Sequence, residues 1–443
     1  MYRDLTKGSI LKNLILFSLP MMAGNLLQQL YNITDTLIVG QALGKNALAA
    51  VGSAYTLMTF LTSIFLGLSM GAGALFSVYH GKEDSESLKC AAAHSAVLIS
   101  AVTVVLNIAV YAFTDPILRF LAVPDELYSD MRLYLVIIFS GIAATSVYNF
   151  FACFFRAVGN SVAPLCFLAV SALLNIVLDI LFVPVMHFGI GGAAVATVIA
   201  QYVSGAGLCV YFIRKCRIFM PSMRHFKHNG KILREICDLS LLTCAQQSAM
   251  NFGILLIQRL VDSFGAVTMA AFAAAVKIDT FAYLPVQDFG NAFSTFVAQN
   301  FGAGETSRIK KGFAQAVALS VGFSLVISTL VCVFAEPLMR IFVQAEETAV
   351  LASGVNYLRV EGAFYFGIGC LFLLYGFYRA IEKPLMSVIL TVISLGTRVI
   401  LAYMLAPVIG ECGIWMAIPI GWGLADAAGF AYYVFKKDIL VRK

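Results

Sequence analysis

Charge is what this sequence has least of. Asp, Glu, Lys and Arg make up 12% of its 443 residues, about half the roughly 25% of soluble domains. With 60% hydrophobic residues and a mean hydropathy of +0.88, there is too little polar surface to coat a soluble globule, and the chain needs lipid around it. No connection between its apolar runs is long enough for a soluble domain, which excludes a separate catalytic module. There is no GxxxxGK[ST] loop, so ATP is not the direct energy source unless another subunit supplies it, and no HExxH zinc motif. The ten cysteines lie mostly in apolar stretches, without a CxxC pair or histidines at metal spacing. That argues against a disulfide framework, a zinc site or any resident cofactor. Gly189 opens GIGGAA, a loose dinucleotide-loop spelling, but without a strand before it or an acid about 20 residues later, and close helix packing explains it better.

What the sequence has in quantity is apolar runs of spanning length. Twelve are expected, at 13–39, 48–79, 91–114, 132–155, 162–185, 190–213, 238–261, 268–300, 313–335, 352–377, 385–408 and 413–435. The N-terminus reads basic then apolar, but its run is too long for a signal peptide and contains Pro20, so it is expected to stay as a first helix.

Basic residues fall on alternate connections. Arg3, Lys7, Lys12, the stretch from Arg214 to Arg234, Arg308, Lys310, Lys311, Lys436, Lys437, Arg442 and Lys443 lie on one side. Only Lys45, Arg119 and Arg340 occupy the loops of the other, beside Asp115, Asp125, Glu126, Glu346 and Glu347. Basic loops stay cytoplasmic, so both termini are expected inside a multi-pass cell-membrane protein. The net charge of +6 then reflects topology and calls for no nucleic-acid partner.

The chain also repeats. A shift of 221 aligns Gly44, Ala49, Ala50, Ala54, Phe60 and Gly81 with Gly265, Ala270, Ala271, Ala275, Phe281 and Gly302. Shifts of 222 or 223 align Phe155-Arg156-Ala157 with Tyr378-Arg379-Ala380, and Ala206-Gly207 with Ala428-Gly429. The expected fold is therefore an all-α polytopic membrane protein. Its six-helix bundles, 1–217 and 235–443, are joined by a basic cytoplasmic linker at 218–234 and related by a pseudo-two-fold axis along the membrane normal, an arrangement suited to rocking about a central site.

Where the halves stop matching, chemistry stands out. Asp35 in the first span is opposed by Leu256, and Asn175 and Asp179 in the fifth by Thr397 and Leu401. Asp35, Asp179 and Thr197 can share one depth, and Asn175 and Asp179, four apart, share a helix face. An ionised Asp within the bilayer costs about 2.5 to 3.5 kcal/mol, and two close carboxylates cannot both stay ionised cheaply, so one should take a proton or a cation. Tyr31, Asn32, Tyr148 and Asn149 are expected to line the first-half cavity. Lys277, Asp279, Gln287, Asp288 and Arg398 place charge and polarity in the second half, as structural pairs or as substrate contacts.

Together, the two six-helix halves, the basic central loop, Pro20, Asp35, Asn175, Asp179 and Thr197 resemble the multidrug and toxic compound extrusion (MATE) transporters, and within them the DinF-like branch. The resemblance implies export of small amphipathic, often cationic compounds in exchange for H+ or Na+, by alternating access, from a monomer. It also implies that protonation or ion binding at Asp35 and Asp179 bends the first helix at Pro20. Apart from a transported Na+, no metal is implied. The NorM-like branch is similar but has a cation site on C-terminal-half acids. Here the seventh span offers Gln246, Gln247 and Gln258 and the tenth only Glu361, a departure that favours the first-half network. The alternative is a related flippase for lipid-linked precursors or polysaccharides, which would be expected to have around fourteen helices and several basic residues in its cavity.

Overall fold

The computed structural model describes residues 3–120, 125–227, 229–344, 346–436 and 440, without the side chains of Lys45, Asn46, Ala49, Ser53, Thr56, Phe120, Asp125 and Leu255. Lys437, Arg442, Lys443 and the charged groups of Lys45 and Asp125, all part of the expected charge asymmetry, lie outside the described residues. Those described form helices and turns and no strand.

The helices of the first half are α1 Ile10–Leu43, α2 Lys45–Gly81, α3 Ser85–Ala112, α4 Thr114–Phe120, α5 Asp125–Phe139, α6 Ile142–Ala157, α7 Val162–Ile180 and α8 Gly189–Lys215. Those of the second are α9 Gly230–Asp262, α10 Ala266–Gly302, α11 Thr306–Val333, α12 Ala335–Met339, α13 Thr348–Gly362, α14 Tyr365–Ala380, α15 Pro384–Ile409 and α16 Glu411–Phe435. Ten are long and apolar enough to cross a membrane. The pairs α5/α6 and α13/α14 supply two further crossings, giving twelve in two bundles.

Those pairs correct the expectation of unbroken fourth and tenth spans. The chain bends by 44° between α5 and α6 and by 51° between α13 and α14. At the first break the ladder tightens by one residue, Ser140 N–H bonding Ile137 O at 3.0 Å and Gly141 N–H bonding Ile138 O at 2.9 Å. The Ser140 hydroxyl donates to the same Ile137 carbonyl at 2.6 Å, and a side chain on Gly141 would collide with the Gln201 amide. At the second break Phe364 N–H bonds Glu361 O at 3.0 Å. Shifted bonds of this kind are how a helix kinks without proline.

Two compact units emerge, one of residues 1–3 and 23–244, the other of 4–22 and 245–443. This division departs from 1–217, 218–234 and 235–443 for local reasons. In the first unit, Gly71 of α2 lies against the backbone of α9, where a Cβ would meet the Leu239 carbonyl oxygen and come within 2.5 Å of Ser240 Cα. In the second, Gln299 accepts from Leu5 N–H at 3.2 Å, while Asn300 and Arg308 each donate to Leu5 O at 3.2 Å. Arg308 also donates to Gly8 O at 3.0 Å. The division of α1 falls two residues after Pro20.

Within the first unit α2 packs on α5 and α6, and α7 on α8; within the second α10 packs on α13 and α14, and α15 on α16. The repeat is thus one of packing partners as well as residues. Gly67-Leu68-Ser69-Met70-Gly71 fits the spelling of a nucleophile elbow, but it lies inside α2, where its glycines admit a neighbouring backbone. Asp84 starts α3 by accepting Ser87 N–H at 2.9 Å. Burial pushes its carboxyl up, but the Ser87 hydrogen bonds outweigh this and hold it below its ordinary value. This cap therefore stabilises above the unfolded carboxylate range and is lost as pH falls through the folded value. Asp84→Ala is expected to cost about 1 kcal/mol, read as a lower melting temperature at neutral pH and a smaller difference in acid.

Candidate functional site

Asp35 is on α1, Asn175 and Asp179 on α7, and Thr197 on α8. The first unit brings the four together. Asp179 is 0% exposed and Asn175 1%. The carboxyls of Asp35 and Asp179 face each other within reach of a shared proton. Asn175 Nδ2 donates to Thr197 Oγ1 at 3.4 Å, and Thr197 Oγ1 to Ala193 O at 3.1 Å. One of the two amide hydrogens is thereby engaged, and Asn175 Oδ1 is left as an acceptor.

Among the described residues, both Asp179 oxygens, Asp35 Oδ1 and Asn175 Oδ1 are buried without a hydrogen-bond partner. Four unmatched acceptors, with no Lys or Arg facing them among the described residues, cannot remain so at neutral pH, since each costs about 1 to 3 kcal/mol and more when charged. A proton on one carboxyl, or a hard cation among the oxygens, removes the deficit.

The backbone beneath Asp179 is unusual in the way functional sites often are. Leu181–Val185 forms a π turn containing Pro184, and Met186 N–H reaches Leu181 O at 2.9 Å. Pro184 has no N–H to give the α ladder, so the register widens just past the acid.

Tyr31, one turn before Asp35, borders both acids. So does Tyr134 of α5, 6% exposed, which was not anticipated from sequence. Its signal was there, because a shift of 223 sets it opposite Tyr357. The Asn32 carbonyl accepts from Thr36 Oγ1 at 2.8 Å. Tyr148 donates to Pro164 O at 3.2 Å and Asn149 to Thr145 O at 2.9 Å. Both turn to backbone of their own bundle, Tyr148 against the aromatic core of Phe76, Phe154 and Phe212.

The second unit holds a second acid pair. Asp279 of α10 and Glu361 of α13, 6% and 3% exposed, face each other beside Tyr357, Tyr365 and Arg398. The bend between α13 and α14 follows immediately after Glu361. Glu361, the one acid of the tenth span, therefore has a partner 82 positions away in sequence. Lys277 is turned away, exposed, with Nζ 5.8 Å from the Phe342 ring centre, as its two-residue offset from Asp279 requires. Gln287 is half-buried and Asp288 buried. No group of three or more His, Cys, Asp or Glu that could hold a metal ion occurs among the described residues.

The sequence profile of the MatE family matches twice, at 20–181 and 243–404, once in each half. A probable multidrug resistance protein, YpnP of Bacillus subtilis, is 30% identical, covering 97% of this chain and 96% of its own length. A probable multidrug resistance protein of Thermotoga maritima, NorM, is 25% identical, covering 92% and 89%. Among solved structures, an outward-facing MATE multidrug transporter superposes with a TM-score of 0.93 at 22% identity, over 99% of this chain and 98% of that one. The Vibrio cholerae transporter VcmN, as a D35N mutant, gives 0.91 at 22%, over 98% of both.

Proposed function

Since the chain belongs to the MatE family of multidrug efflux transporters, we propose that it is a DinF-like, cation-coupled antiporter that exports amphipathic, often cationic drugs or toxic metabolites by alternating access. It works as a monomer in the cell membrane with both termini cytoplasmic. The observation that carries this reading is the buried Asp35–Asp179 pair, whose unmatched oxygens are completed by the transported H+ or Na+. Nothing in that site favours a lipid-linked precursor flippase, because its polar groups are acids, an amide and hydroxyls.

The test uses full-length protein in vesicles loaded with a cationic dye, with proton and sodium gradients imposed separately. Dye export is expected with at least one gradient, and the effective one names the coupling ion. Export driven by neither would overturn the reading.

Pro20 serves as the hinge of α1. A proline within a helix forgoes one backbone hydrogen bond and costs about 3 kcal/mol, so Pro20→Ala should raise the melting temperature while slowing export several-fold. Unchanged export by a more stable variant would remove the hinge role.

A further inference from the structure

The segment between α8 and α9 is not a featureless tether. Two short turns, Arg217–Phe219 and Met223–Phe226, have an inner and an outer side. On the inner side, Cys216 is 1% and His225 6% exposed. Phe219 packs against His80 and Phe154, with ring centres 6.0 and 5.9 Å apart. Ser222 N–H donates to His225 Nδ1 at 2.9 Å, so the ring carries its proton on Nε2 and donates it to Glu86 Oε2 of α3 at 3.2 Å. Arg224 Nη2 reaches both Glu86 oxygens, at 3.1 and 2.9 Å. Cys90 Sγ lies 3.6 Å from His225 O. The segment is therefore clasped to the first turns of α3 in a fixed orientation.

Its outer side is apolar without being inside a span. Ile218 is 69% exposed, Met220 47%, Met223 87% and Phe226 48%. Around them stand the exposed cations Arg214, Lys215, Arg217, Arg224 and Lys227. Water is a poor environment for four large apolar side chains held outward by a segment anchored through the buried His225 and Cys216. The surface within reach is the headgroup layer, because α8 ends at Lys215 and α9 begins at Gly230. Apolar groups inserted at the acyl boundary and ringed by Lys and Arg are the pattern of an interfacial element on an anionic leaflet.

We propose that residues 214–227 form a lipid-binding foot, in which Ile218, Met220, Met223 and Phe226 enter the interface while Arg214, Lys215, Arg217 and Lys227 bind the phosphates of anionic phospholipids. Glu86, His225 and Arg224 aim it. This site is separate from the acid pair and from the transported substrate.

The test puts the full-length Met223→Trp protein into nanodiscs of brominated phosphatidylcholine, alone or with about a third phosphatidylglycerol, with the native Trp415 and Trp422 signal subtracted from a matched sample. Met223 is almost fully exposed, so the substitution leaves the core untouched. Bromolipid should quench the added tryptophan, about twofold more strongly in the anionic discs, and the excess should vanish when Arg214, Lys215, Arg217 and Lys227 are all replaced by Gln. An added tryptophan untouched by bromolipid but quenched by aqueous acrylamide in both discs would overturn the proposal. So would quenching indifferent to phosphatidylglycerol or to the four substitutions, or inorganic phosphate reproducing the effect in zwitterionic discs, which would mark a free-phosphate site. Since no arm measures transport, failure here is distinct from failure of the antiport reading.

Discussion

Asp179→Asn is expected to reduce cation-driven dye export to the background of empty vesicles while leaving a folded, inserted protein. Asn has nearly the volume of Asp and removes only the capacity to bind and release a proton or to carry charge. The carboxyl is fully buried, both of its oxygens lack partners among the described residues, and it faces Asp35. If the pair exists to be alternately loaded and emptied, a permanently neutral amide holds it in the loaded state. The same change removes a buried charge that costs about 2.5 to 3.5 kcal/mol when ionised, so the melting temperature should hold or rise. Loss of export with unchanged or higher stability separates a coupling role from a structural one. Asp35→Asn should behave alike, and Asn175→Ala should weaken export less, since it removes one acceptor and the bond to Thr197. Wild-type export by both Asp variants would refute the coupling assignment.

Gly71→Ala is expected to destabilise the protein by about 1 to 3 kcal/mol, the usual cost of overpacking, although alanine is about 1 kcal/mol the better helix former. The reason is backbone. A Cβ at Gly71 meets the Leu239 carbonyl and Ser240 Cα, and one at Gly67 lies 2.5 Å from Cys244 Cα, so neither collision is relieved by a rotamer change. Gly52 on the same helix has nothing within 4 Å of its added Cβ. Gly52→Ala is thus the control and should be neutral or stabilising. Thermal melts of both in one detergent decide the matter, and equal behaviour would show that the close approach of α2 and α9 has no energetic role.

How much of this was legible in the sequence varies with the feature. The Asp35, Asn175, Asp179 and Thr197 set stands out in the sequence because two of its members are acids in apolar spans with leucines opposite, a local and countable signal. Tyr134 escaped because a tyrosine in a membrane span has no cost to flag it, and its counterpart Tyr357 shows only when the repeat is aligned. Asp279 and Glu361 were each visible, but as unrelated charges. Their partnership depends on how α10 and α13 are rotated about their own axes. Tyr148 and Asn149 share a span with no such constraint and turned to nearby carbonyls instead.

The sequence by itself determined that this chain lives in lipid, that it crosses twelve times in two related sets, and that the first set carries two acids where the second has leucine. Those properties are sums over neighbouring residues, and a bilayer reads them one segment at a time. Only the tertiary structure decided where the fourth and tenth crossings bend, that α1 is shared between two compact units just past Pro20, and which acids meet. Such outcomes depend on helix rotation and on contacts between residues far apart in the chain, where one glycine against a backbone or one tightened turn fixes what hydropathy leaves open.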